Sequence, residues 1–141
     1  MSVIEQRQEE IINTFKNIEN WEERYKKIIA IGKEHPAIPE KYKIEDNLVR
    51  GCQSKVWMFA EVNKQGDMTI FADSDAMIVR GLVALIVKTF SNASPNEILN
   101  AEPHFIKDIG LSDHLSQTRT NGLVAMIKQL KMFAFAYTMK K

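Results

Sequence analysis

The chain of 141 residues contains one cysteine, Cys52, and most of the chemistry open to it turns on that residue. A cysteine attacks as the thiolate, and an unperturbed thiol has a pKa of about 8.5. Cys52 follows Gly51 and precedes Gln53-Ser54, a polar, flexible setting that reads as a loop tip and not as a core strand. Arg50 and Lys55 flank it. Positive charge favours the thiolate, so Arg50 is expected to stabilise the ionised form. The competing reading is a small buried hydrophobe. A single cysteine allows no intramolecular disulfide and no cysteine-built zinc or iron–sulfur cage.

A Cys–His pair for acyl transfer would need a histidine beside Cys52. His35, His104 and His114 are the candidates, and spacing along the chain places none of them there. They and the cysteine make no recognised metal-ligand spacing. No glycine-rich phosphate loop is present. Asp73 and Asp75 flank Ser74 before an apolar run, which reads as capping and dipole complementarity at a helix start. Arg119 and Asn121-Gly122 fall in the first turns of a late helix. A cation opposes the helix dipole there, and a helical glycine costs about 1 kcal/mol relative to alanine. Two such choices point to close packing, a partner contact or a functional role.

The elements that must carry these residues follow from periodicity. Ile4, Ile11, Ile12, Phe15 and Ile18 recur at helical spacing. A second helix starts at Asn20, an N-cap with Glu23 three residues on, and is expected to close at Gly32. Pro36 and Pro39 mark an irregular crossing. Residues 55–63 alternate, with Val56, Met58, Ala60 and Val62 on one side and Trp57, Phe59 and Glu61 on the other. Gln65-Gly66-Asp67 turns the chain and residues 68–72 return. This predicts a small antiparallel sheet of about three strands, with Gly51-Cys52 at a bend near its start. A helix from Asp73 to about Phe90 is apolar on most faces and belongs against the sheet. Ser94-Pro95-Asn96-Glu97 opens a short helix, and Ser116 caps a long one reaching about Thr138. The order predicts an α+β fold in one domain over residues 1–141.

Composition narrows the function classes. The chain is 45% hydrophobic and 26% charged with a formal net charge of +1, which gives no reason to expect nucleic acid or an anionic membrane as partner. The amino-terminal residues lack the basic and apolar regions of a secretory signal, and the longest uncharged apolar run, residues 81–87, is too short to span a bilayer. A cytoplasmic protein, monomeric or weakly homodimeric, is expected.

Four motifs in order resemble the SufE (also CsdE) family across nearly the whole chain. They are Asn20-Trp21-Glu22-Glu23-Arg24-Tyr25 with Ile29-Ala30-Ile31-Gly32, then Val49-Arg50-Gly51-Cys52-Gln53-Ser54-Lys55-Val56-Trp57. Residues 72–82 follow, and last come Gly110-Leu111, His114-Leu115-Ser116 and Arg119-Thr120-Asn121-Gly122-Leu123 with Met126-Ile127. Gln117 departs from the pattern, since relatives often carry proline there.

The resemblance implies a sulfur carrier and activator rather than a stand-alone enzyme. Cys52 would accept the terminal sulfur of a persulfide held by a SufS-like, PLP-dependent cysteine desulfurase and pass it to a SufB-like iron–sulfur scaffold. PLP belongs to the partner, and this chain needs no cofactor. The family's functional positions fall on Cys52 as acceptor, Arg119 in desulfurase contact and Asp75 in control of the cysteine loop. Gly51, Gln53 and Ser54 would shape that loop, which can tuck its thiol into an apolar pocket and swing out. Two other classes stand beside this one: an adaptor that only activates the desulfurase, and a cluster scaffold of the IscU type, for which one cysteine is too few.

Overall fold

The computed structural model describes residues 2–139. Helix α1 (Val3–Lys16) begins where Ser2 Oγ accepts the Glu5 N–H at 3.2 Å. Helix α2 (Trp21–Glu34) begins where Asn20 Oδ1 accepts the N–H groups of Glu22 and Glu23 at 2.8 and 3.2 Å. This is the N-cap expected from the sequence. Gly32 does not close α2. It lies inside the helix, buried against the element that follows the sheet, and the helix runs two residues further.

Residues 35–55 cross the molecule through two 3₁₀ turns, Glu40–Tyr42 and Glu45–Asn47. Strands β1 (Val56–Val62) and β2 (Met68–Ser74) then pair antiparallel, from Val56 opposite Ser74 to Val62 opposite Met68. Val56, Met58 and Ala60 of β1 and Met68, Ile70 and Ala72 of β2 form the buried inner face. The alternation read from the sequence holds except at Val62, which is 39% exposed beside the hairpin turn. The outer face is covered by the crossing segment: Tyr42 stacks on Phe59 with ring centroids 4.3 Å apart. Among the described residues the sheet has two strands. The third is reduced to an isolated bridge, Leu48 opposite Trp57, after which the chain bends away at Gly51.

Asp73, Ser74 and Asp75 do not cap a helix. Strand β2 continues through Ser74, and α3 (Met77–Phe90) starts only after Ala76, with no side-chain cap. Asp73 is buried at 3% exposure. Its Oδ1 accepts from the Arg80 guanidinium and its Oδ2 from the Ile38 N–H at 3.0 Å. Arg80 also donates from Nε to the Gly32 carbonyl at 2.7 Å and from a terminal nitrogen to the His35 carbonyl. One guanidinium therefore closes the end of α2 and neutralises a buried carboxylate in β2.

Helix α3 carries the centre of the core, with Leu82, Val83, Leu85, Ile86 and Phe90 all nearly inaccessible. Helix α4 (Pro95–Asn100) starts on Ser94 as expected. Two single turns, α5 (Phe105–Asp108) and α6 (Leu111–His114), lead to α7 (Gln117–Thr138), capped by Ser116. The inward residues of α7, Leu123, Met126, Leu130 and Ala134, pack into the same core, and Tyr137 donates its hydroxyl proton to the Ala60 carbonyl at 2.9 Å. The result is an α+β domain with helices packed on a two-stranded antiparallel sheet. No helix among the described residues is long and apolar enough to cross a membrane.

Candidate functional site

Cys52 sits on the bend between the Leu48 bridge and β1, and the bend turns it inward. Gly51 has φ +96°, a conformation that glycine adopts without strain, and a Cβ there would stand 3.3 Å from Ala125 Cβ on α7. The chain reverses tightly against α7 and delivers the next side chain into the space between α3 and α7. There the Cys52 thiol donates to the Gly122 carbonyl, with Sγ 3.6 Å from the oxygen. The residue is half-buried and packs against the hydrophobic core.

The thiol lies in a cavity of about 320 Å³. Ile78, Val79 and Leu82 of α3 and Met126 of α7 form its apolar wall, and Ser116, Thr118 and Arg119 its polar rim. Gln53 and Ser54 line it beside Cys52. Arg119 is exposed, and its guanidinium makes no hydrogen bond or ion pair among the described residues. It is a cation left free at the mouth of the cavity.

Burial pushes the Cys52 thiol up from its ordinary value, and no neighbouring charge offsets the shift. Burial at this position therefore favours the thiol over the thiolate. Arg50, expected to stabilise a thiolate, is exposed and has no ion pair among the described residues. The reason is geometric, because the turn that points Cys52 inward leaves its neighbour in solvent.

The base of the loop is held by Asp75. Its Oδ1 accepts the Lys55 N–H at 3.1 Å, and its own N–H donates to the Lys55 carbonyl at 3.3 Å. The clamp is exposed and far lighter than the Asp73–Arg80 network two residues earlier.

None of the three histidines lines the cavity. The His35 ring contacts the Ala72 carbonyl, His104 bridges Asp108 and Glu5, and His114 stacks on Trp21. A Cys–His hydrolase is therefore not assembled here. Among the described residues no group of three or more His, Cys, Asp or Glu side chains is placed to hold a metal ion. The structure brings Cys52, Gln53, Ser54 and Arg119 together, with Gly51 and Asp75 acting on the loop from outside the cavity. Sequence reasoning passed over Thr118 and the direct contact of Gly122 with the sulfur. The one signal for the latter was a glycine in an otherwise regular helix.

The fold and site define a class: a small α+β domain that docks one reactive-type side chain, a lone thiol, between two helices. A family model described as "SufE: Fe-S metabolism associated domain" matches residues 9–134, and the chain belongs to that family, with a role in iron–sulfur metabolism. A solution structure of a hypothetical protein from Thermus thermophilus superposes with a TM-score of 0.78 over 95% of this chain and 97% of that one. At 20% identity that likeness shows the fold.

Proposed function

We propose that this protein is a cytoplasmic sulfur carrier that accepts persulfide sulfur on Cys52 from a PLP-dependent cysteine desulfurase, stimulates that enzyme, and delivers the sulfur to a scaffold for iron–sulfur cluster assembly. The observation that carries the reading is the docked thiol: the chain's one cysteine sits on a loop, inside a cavity that opens to the surface beside an unpaired arginine. Membership of the family supports the process, and the PLP is the partner's.

Transfer is a displacement at sulfur. The Cys52 thiolate attacks the terminal sulfur of the donor's persulfide, an Sγ–S bond forms, the donor's S–S bond breaks, and the donor cysteine leaves as thiolate. Delivery repeats the step, with an acceptor thiolate attacking and Cys52 leaving. Neither step needs an oxidant or a reductant. Because rate follows thiolate fraction and access, a buried thiol with a raised pKa is slow. Swinging the loop out returns the thiol to water and to its ordinary pKa, so docking on the desulfurase gates the chemistry. Arg119 at the mouth is the partner contact, and Asp75 sets how readily the loop leaves.

Incubation with a SufS-like desulfurase, PLP and L-cysteine followed by non-reducing intact mass spectrometry tests the reading. A gain of about 32 Da per sulfur that vanishes in Cys52→Ser is expected. No gain, with desulfurase stimulation retained, replaces the carrier by an adaptor that only activates its partner.

A further inference from the structure

Gly122 is a buried glycine in the second turn of a 22-residue helix, a position where helix propensity favours almost any other residue. Packing against a neighbouring helix is the ordinary reason for such a choice, and here it does not apply. A Cβ on Gly122 would have a single heavy-atom neighbour within 4 Å outside its own helix backbone and adjacent residues: Cys52 Sγ, at 3.6 Å. The missing side chain therefore faces one atom, and that atom is the sulfur on which the proposed function rests.

A Cβ at 3.6 Å is in van der Waals contact with the thiol and does not displace it. A persulfide is different. Its terminal sulfur lies about 2.05 Å beyond Sγ, so a heading aimed at Gly122 brings it inside contact distance of that Cβ. With glycine the terminal sulfur can lie over a bare Cα. Ile78, Val79 and Leu82 line the other side of the same cavity. Arg119, one turn earlier on the same helix, lines the same cavity and offers a cation to a persulfide anion.

We propose that Gly122 is the specificity-determining residue that lets the Cys52 cavity admit a second sulfur, so that the loaded loop docks as the unloaded one does. The inference rests on the persulfide-carrier reading and concerns how the loaded form is sheltered. Gly122→Ala distinguishes the two forms: it spares the docked thiol and crowds the docked persulfide.

The test loads Cys52 without a desulfurase, from inorganic polysulfide. The thiolate attacks a polysulfide sulfur, the Sγ–S bond forms, the adjacent S–S bond breaks, and a polysulfide one atom shorter leaves. Persulfide is then timed against cyanide, which attacks the terminal sulfur to give thiocyanate and the Cys52 thiolate. Unloaded protein is timed against iodoacetamide. In the native chain both rates should lie below those of the urea-unfolded chain. Gly122→Ala should raise the cyanolysis rate by about ten-fold or more while changing thiol alkylation by less than about two-fold. Gly122→Val, with two further methyl groups, should expose the thiol as well, and far-UV circular dichroism establishes that each variant is folded. Equal cyanolysis in native and Gly122→Ala protein overturns the inference, as does a parallel rise in both rates. Should the native persulfide itself be no better protected than in urea, there is no shelter for Gly122 to shape, and the inference falls while transfer from the desulfurase, read separately by mass, stands.

Discussion

At the crossing of α2 and α3 a Cβ on Gly81 would lie 2.2 Å from the Ile28 carbonyl oxygen, and one on Gly32 would lie 2.7 Å from the Gly81 nitrogen. On α7, a Cβ on Gly122 would meet nothing nearer than the Cys52 sulfur at 3.6 Å. All three glycines are buried in helices, yet the first two are imposed by backbone packed on backbone and the third faces only the sulfur of the cysteine loop. The same division runs through the surrounding contacts. The crossing is fastened by a guanidinium that spans two carbonyls and a buried carboxylate. Beyond the short Leu48–Trp57 pairing at its base, the cysteine loop is held by one weak thiol contact and an exposed two-bond clamp. The carrier proposed above would use both: a scaffold too tight to yield, and beside it a loop cheap to release.

The sharpest way to break the contrast is to put the same methyl on both helices. Gly81→Ala forces a carbon into the α2 backbone, which cannot give way as a flexible side chain would. A loss of about 3 kcal/mol or more is expected from urea unfolding. Gly122→Ala should move the other way, gaining up to about 1 kcal/mol from improved helix propensity. Should Gly81→Ala match wild-type stability, the crossing is not the fixed part of the molecule.

Arg80→Met comes next in size. It keeps much of the apolar stem but leaves Asp73, with 5% of its side chain exposed, without its counter-charge. It also strips donors from the Gly32 and His35 carbonyls. A loss of about 3 kcal/mol in the same measurement is expected. A loss below about 1 kcal/mol would mean that the network is as exchangeable as a surface pair.

These two regions also differ in how far they can be read from the chain alone. Asn20, Ser94 and Ser116 were legible as caps because capping is local chemistry, settled within four residues. The hairpin was legible from its alternation. Asp73-Ser74-Asp75 was misread because an acidic cluster before an apolar helix satisfies the same local rule as a cap. What prolongs β2 through it is pairing with β1 and the bond to Arg80, seven residues on. Gly32 likewise reads as a terminator until α3 is laid across it. At the site, the polar neighbours of Cys52 announced a loop, and the family motifs pointed to Arg119, which lines the cavity, and Asp75, which bonds Lys55. The raised thiol pKa and the contact of Gly122 with the sulfur were hidden, since both depend on α3 and α7, whose lining residues lie 26 or more positions away in sequence.

Asp75→Ala should have the smallest effect on stability and the clearest effect on the loop. Its bonds to Lys55 are exposed, so removing the carboxylate should cost about 0.5 kcal/mol globally. The docked state of the loop, however, loses one of its few holds, and Cys52 alkylation should rise by about two-fold. The pH profile separates this from a general loosening. Burial raises the docked thiol's pKa, so docking is favoured fully below the free thiol's pKa and weakens as pH climbs from there toward the docked value. In the native chain the alkylation rate should therefore titrate above that of the urea-unfolded chain, and in Asp75→Ala it should fall back toward it. A variant that tracks the native profile at every pH would show that the Lys55 clamp does not hold the loop. The contact between Cys52 and Gly122 would then be the latch, with the Leu48–Trp57 pairing as the hinge on which the loop turns.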